Sequence, residues 1–151
     1  MICTGEDVLI AGTPAEVFLW LDDPQRVLQW VPQMIANAHQ EAAGQRIGTR
    51  FHQRFQYKNR VVATSGEIVA FRQDQLLGMQ IDQGGMRVRV DYRLEPAGDR
   101  TIVRQDVQLH FRPLLRIPTR MVAPLIRWIA CKRIRGNLGH LKRVVEQAGN
   151  S

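Results

Sequence analysis

Apolar and polar positions change period twice along this chain. From about residue 33 to 112 they alternate with a period of two, in segments separated by turn residues. The clearest segment sets Phe51, Gln53, Phe55 and Tyr57 on one face and Arg50, His52, Arg54 and Gln56 on the other. Met86, Val88, Val90, Tyr92 and Leu94 separate in the same way from Arg87, Arg89, Asp91 and Arg93. So do Thr101, Val103, Gln105, Val107, Leu109 and Phe111 from Ile102, Arg104, Asp106, Gln108 and His110. Three weaker segments cover 34–42, where Ala-Asn-Ala-His lacks strand propensity, 61–71, whose buried face is not legible, and 76–81. Lys58-Asn59-Arg60, Gly84-Gly85 and Pro96-Ala97-Gly98-Asp99 supply turns. Such alternation predicts an antiparallel sheet with one dry and one wet face. Val88, Val90, Tyr92, Val103, Val107 and Leu109 are expected inside, and Arg89, Asp91, Arg104 and Asp106 outside as exposed cross-strand pairs.

Outside that block the pattern is different. Residues 6–11 read as a first strand, followed by Gly12-Thr13-Pro14-Ala15-Glu16. Thr13 can cap a helix, Pro14 suits its first position, and Glu16 completes a capping box three residues after the cap. Asp22-Asp23-Pro24 ends that helix, and a second short one is predicted from Pro24 to Trp30, ahead of Pro32. At the far end Ile126, Ala130, Ile134, Leu138, Leu141 and Val145 recur at steps of three or four within a helix from about Leu125 to Gln147. A helix of that length spans about 35 Å. It should start between Pro118 and Pro124, with Thr119 as a cap and Gly149 as a stop. The predicted class is α+β. A curved antiparallel sheet of about seven strands grips a long C-terminal helix, two short helices follow strand one, and residues 1–151 form a single domain.

Several stretches resemble, in order and over the full length, the START-like or helix-grip superfamily, and within it the polyketide cyclase/dehydrase and lipid-transport group. They are Thr13-Pro14-Ala15-Glu16-Val17-Phe18, Asp23-Pro24, Trp30-Val31-Pro32 and Ile47-Gly48-Thr49. Val90-Asp91-Tyr92-Arg93-Leu94-Glu95-Pro96, and Asn137-Leu138 with Leu141-Lys142 and Glu146, complete the set. The resemblance implies a cavity between sheet and long helix, open near the short helices. It implies no single activity, because the superfamily includes lipid carriers, hormone binders and cyclases.

A composition of 44% hydrophobic and 23% charged residues is ordinary for a globular chain. No apolar run is long enough to span a bilayer, and the amino terminus is not expected to be a signal peptide. Cys3 and Cys131 stand at no ligand or redox spacing; nothing favours a disulfide between them, and as two lone cysteines they fit a reducing cytoplasm. Charge is uneven. Residues 112–151 hold nine of the 21 Lys and Arg but a single acid, Glu146, for a net +8, while residues 1–111 sum to −1.

Candidate chemistry is concentrated on inward faces. Arg133 falls within the apolar stripe of the helix, with Asn137 one turn on. A guanidinium there needs a carboxylate or a ligand anion, unless it lies at the stripe's edge and reaches water. Gln53, Gln105 and Tyr92 put polar groups on faces that are otherwise apolar. Trp30, Phe51, Phe55 and Met86 suit a pocket wall or a solid core equally well. The expected ligand-binding set is Trp30, Phe51, Gln53, Phe55, Tyr92, Gln105, Arg133 and Asn137. Glu67 would serve as a base if its strand turned that way. His39, His52, His110 and His140 do not assemble, and no metal spacing, phosphate loop or dinucleotide fingerprint occurs, so neither metal nor cofactor is expected.

These features favour binding or carriage of a hydrophobic or amphipathic small molecule. Two rivals stay open: a cyclase/dehydrase-type enzyme acting on a polycyclic or lipid-like substrate, and docking of the basic tail to RNA or a ribosome. Lys132, Arg135, Lys142 and Arg143 are expected to point away from the sheet toward an anionic membrane surface, with Arg112, Arg116 and Arg120 in the approach. Nucleic acid is disfavoured, because the basic residues of the sheet's outer face lack interleaved aromatics.

Overall fold

Among the described residues, seven strands and three helices follow in the order β1 (Ile2–Ala11), α1 (Pro14–Asp22), α2 (Pro24–Val27), β2 (Met34–Ala42), β3 (Gln45–Tyr57), β4 (Arg60–Arg72), β5 (Leu76–Gln83), β6 (Met86–Ala97), β7 (Arg100–Phe111) and α3 (Thr119–Gly149). The coordinates are a computed structural model describing residues 2–42, 44–83, 85–111 and 119–149. The expectations for Gly84, Arg112, Pro113, Arg116 and Pro118 therefore fall outside the described residues.

All strands pair antiparallel in one sheet, ordered β1-β7-β6-β5-β4-β3-β2. Strands β2 to β7 form a meander of hairpins, one turned at Gly98 with φ +67°. The α1–α2 corner carries the chain from β1, at one edge, to β2 at the other. Thr13 caps α1 by accepting from the Glu16 amide at 3.3 Å, and Glu16 accepts in return from the Thr13 amide at 3.3 Å. Asp23 caps α2 through the Gln25 amide at 2.9 Å. Regular helix ends at Val27 rather than Trp30, and turn hydrogen bonds continue to Val31.

The sheet's two faces divide as the alternation predicts. Val90, Tyr92, Val103, Val107 and Leu109 are buried, and Val88 is half-buried. On the outer face Arg104 is exposed, but Arg89, Asp91 and Asp106 are half-buried. Their ion pairs run mainly along strands, Arg89–Asp91 at 3.0 Å and Arg104–Asp106 at 3.1 Å. Across β6 and β7, Asp91 faces Asp106 and Arg93 faces Arg104, so the expected opposite-charge pairs are absent there; they form on the neighbouring pairings instead, Arg104 with Asp7 of β1 at 3.8 Å and Arg87 with Asp82 of β5 at 3.1 Å. Glycine makes the room: a Cβ on Gly78 would meet Asp91 Oδ1, and one on Gly5 would meet Asp106 Oδ1.

Helix α3 begins at Thr119, so Pro124 lies inside it. A proline so near the start removes one interior hydrogen bond, the one that would reach the Arg120 carbonyl. Beyond it the helix runs alongside β1. Cys131 meets Thr4, Arg135 pairs with Glu6 at 3.1 Å, Lys142 donates to the Leu9 carbonyl at 2.9 Å, and Glu146 accepts from the Ala11 amide at 3.2 Å. Fifteen helical steps and seven strand steps cover nearly the same length, about 22 and 23 Å, so the contacts stay in register. In this C-terminal half Ile134, Leu138, Leu141 and Val145 are core. Ile126 and Ala130, in the other half, are only half-buried.

Candidate ligand cavity

The half-buried stretch of α3 roofs a cavity of about 430 Å³ over the inner face of the sheet. One end is closed by Val27, Trp30 and Val31, all buried. The Trp30 indole donates to the Trp20 carbonyl at 2.9 Å and meets the Tyr92 ring edge-on, with centroids 6.3 Å apart. Among the described residues, the solvent-exposed lining lies at the opposite end. Ile129 and Arg133 are exposed there, and Tyr57 and Met86 are half-buried. The short helices, expected at the mouth, thus close the inner end.

Arg133 stands at this rim and not inside the apolar stripe. Its guanidinium donates to the Tyr57 hydroxyl and lies over the Tyr57 ring, 5.4 Å from the centroid. An exposed guanidinium stays hydrated, which is why a phenol suffices where a buried one would need a carboxylate. Asn137, half-buried, lines the cavity one turn further along α3.

The floor is more polar than its strands suggested. Gln53 lies between Asn37 of β2 and Thr64 of β4 in the strand register, and all three side chains are buried against the cavity. Asn37 Nδ2 donates to the Pro24 carbonyl at 3.2 Å. A carbonyl can only accept, so the amide orientation is settled and Oδ1 is left as a buried acceptor without a partner. His39 Nδ1, Thr64 Oγ1 and Gln105 Oε1 are likewise buried and unpartnered. Burial lowers the His39 pKa below the ordinary imidazole value, reinforced by the Arg46 charge, so the ring is neutral. Burial also raises the Tyr92 phenol above its usual range, so it keeps its proton.

Trp30, Gln53, Phe55, Tyr92, Gln105, Arg133 and Asn137 all line this cavity. Phe51 does not. It is fully buried, and its ring fills the space left by Gly66 opposite, where a Cβ would come within 2.5 Å of it. Glu67 is on the exposed outer face, opposite Arg50 and Gln80, and so is not a candidate base. Asn37, His39 and Thr64 were not foreseen. A register shift between Met34 and Ala36 obscures the phase of β2, although polar Asn37 and His39 do alternate with small Ala36 and Ala38. Thr64 becomes legible only once β4 is paired with Gln53.

The basic helix also divides. Arg135 and Lys142 turn toward β1 instead of away from the sheet, and Lys142 adds an ion pair with Glu146 at 3.6 Å. Lys132 lies over the Trp128 ring at 5.4 Å, and Arg143 is exposed. The Arg120 side chain is outside the described set.

A sequence model of the polyketide cyclase / dehydrase and lipid transport family matches residues 1–146. The chain belongs to this family. Several solved structures share its helix-grip fold. A START superfamily protein from Mycobacterium smegmatis is 15% identical with a TM-score of 0.80, covering 97% of this chain and 98% of its own. The Zhui aromatase/cyclase from a Streptomyces species is 10% identical with a TM-score of 0.79, covering 96% and 93%. The di-domain aromatase/cyclase StfQ of the steffimycin pathway is 11% identical with a TM-score of 0.82, covering 99% of this chain and 52% of its own. Identities this low establish a shared fold alone. No curated protein sequence matches the chain.

Proposed function

We propose that this family member binds or carries a hydrophobic or amphipathic small molecule in the cavity between α3 and the sheet. The observation that carries the reading is a cavity of about 430 Å³ whose mainly apolar wall holds buried polar groups without protein partners. That volume lies in the usual range for small-molecule sites, about 300–1,000 Å³. Trp30, Gln53, Phe55, Tyr92, Gln105, Arg133 and Asn137 are the residues we assign to ligand contact. The same geometry favours a binder over a cyclase. His39 and Tyr92, the titratable groups of the interior, sit on strands with three others between them, and no hydrogen bond links them. An acid–base pair needs groups that converge on one reacting position. Both cysteines are free, which accords with the cytoplasmic setting we propose.

Native mass spectrometry of freshly purified protein, together with titration of the fluorescent apolar anion 1-anilinonaphthalene-8-sulfonate, tests the reading. A co-purified small molecule, or saturable one-to-one binding of the probe, is the expected result. Absence of both would sink it.

A second reading, peripheral contact with an anionic membrane, is favoured by Leu125, Trp128 and Ile129. They are 59%, 60% and 52% exposed on the part of α3 nearest the cavity mouth. Tryptophan prefers the membrane–water interface, and Lys132 and Arg143 lie on the same outward side. No helix among the described residues is long and apolar enough to cross a membrane, so the contact proposed is peripheral. Co-sedimentation with neutral and anionic vesicles at low and high salt decides it. Preference for anionic vesicles that fades with salt supports the contact, and equal binding to both rejects it.

A further inference from the structure

We infer that the inner part of the cavity reads a neutral hydrogen-bond donor on its ligand, a hydroxyl or a phenol, through Asn37 Oδ1 with Thr64 and His39 alongside. The inference deepens the binding reading and rests on it. Among the described residues the cavity lining carries one formal charge, Arg133, and that group is at the rim. Gln53, in the middle of the polar row, is four residues from Tyr57 along β3, about 13 Å from the rim at strand spacing. An ionised ligand group placed that deep would have no counter-charge. A neutral group is therefore selected, and its sense is set by Asn37. One Nδ2 N–H is spent on the Pro24 carbonyl, and Oδ1 is the Asn37 atom left with no partner at all, so the unmet need that Asn37 presents to the ligand is for a donor. A ligand hydroxyl can donate its proton to Oδ1. Its own oxygen can then accept from a ring N–H of His39, two residues along the same strand, while Thr64, two strands away, is left for a second polar group. An ether of the same shape can accept but cannot donate, so it leaves Oδ1 buried and unpaired.

Three neighbouring strands thus present one polar row, about 10 Å across at strand spacing, on a mainly apolar wall: β2 with Asn37 and His39, β3 with Gln53 and β4 with Thr64. The apolar body of the ligand would extend from that patch toward Phe55 and the rim, where Arg133 can face any terminal anion.

The test compares 2-naphthol with 2-methoxynaphthalene, each displacing 1-anilinonaphthalene-8-sulfonate or titrated by calorimetry. The naphthol is expected to bind about tenfold more tightly, the scale of one donated hydrogen bond against a stranded buried acceptor. In Asn37→Leu, which keeps the volume and removes the acceptor, the ratio should fall close to one. The wild-type comparison is decisive even if that variant does not fold. Equal affinities in the wild type, or an undiminished ratio in folded Asn37→Leu, overturn the inference and leave the cavity reading standing. Failure of both naphthalenes and the probe to bind overturns the two together.

Discussion

Arg135 of α3 pairs with Glu6 of β1 at 3.1 Å, although the helical pattern placed Arg135 on the face away from the sheet. The pair belongs to the row of contacts that lays the helix along the sheet edge, and it removes Arg135 from any outward basic surface. Since the arginine side chain is 71% exposed, its worth is that of a surface ion pair, under about 1 kcal/mol. Arg135→Gln should therefore shift thermal unfolding only slightly and leave binding to anionic vesicles unchanged. Lys132→Gln should weaken that binding without altering stability. An Arg135 variant that loses vesicle binding as strongly as the Lys132 variant would contradict this division.

Helix α3 does two jobs in its two halves, and substitution should separate them. Leu141 is fully buried in the core, so Leu141→Ala should cost about 2–5 kcal/mol in chemical denaturation. Ile129 is 52% exposed at the cavity mouth, and Ile129→Ala should stay within about 0.5 kcal/mol of wild type. Comparable losses at both positions would mean that the N-terminal half is packed core and that the cavity is filled.

Gly66 is irreplaceable for a different reason. A Cβ there would stand 2.5 Å from both the Gln80 carbonyl oxygen and the Phe51 ring. Gly66→Ala should destabilise by about 1–3 kcal/mol or more, the range for forcing extra atoms into a packed core. Adding Phe51→Leu should recover only part of the loss, because the ring can be trimmed while the Gln80 backbone cannot. Full rescue in the double variant would show that the ring alone sets the limit.

The fold was legible because its evidence is repeated. Charged and apolar side chains alternate through β3, β6 and β7, and Thr13-Pro14-Ala15-Glu16 spells its own cap, so a misread residue changes little. The site was half legible for the complementary reason. Gln53, Tyr92 and Gln105 stood out as polar residues on strands whose phase was clear. Asn37, His39 and Thr64 were hidden on β2 and β4, whose phase emerges only from pairing with β3. Arg133 was placed on the correct side of α3 but too deep, because a wheel gives direction without saying where a cavity opens. Residues 2–5 were not read as strand, since Gly5 interrupts the run and glycine is a poor strand former. Pairing with Leu109 to Asp106 of β7 overrides that weakness.

His39 ties the cavity to pH. Its half-buried ring packs beside Phe51, with centroids 5.7 Å apart and Nδ1 shut off from solvent. Burial and then Arg46 lower its pKa, while Asp22, Glu41 and Asp23 pull weakly the other way. In the unfolded chain the imidazole takes up its proton near pH 6.5, whereas the folded protein resists until lower pH. Between those values the unfolded state binds more protons, so stability rises with pH. The contribution is complete above about pH 6.5 and is lost as pH falls through the folded-state value. Carboxylates titrate mostly below pH 5, which leaves the interval from about 5 to 6.5 to histidine. Denaturant midpoints measured across that interval should fall with acidification in the wild type and stay flatter in His39→Gln. An NMR titration should place the His39 ring below an unperturbed imidazole. If His39→Gln loses stability as steeply as wild type, another group carries the pH dependence, and the neutral ring assigned to the cavity wall is wrong.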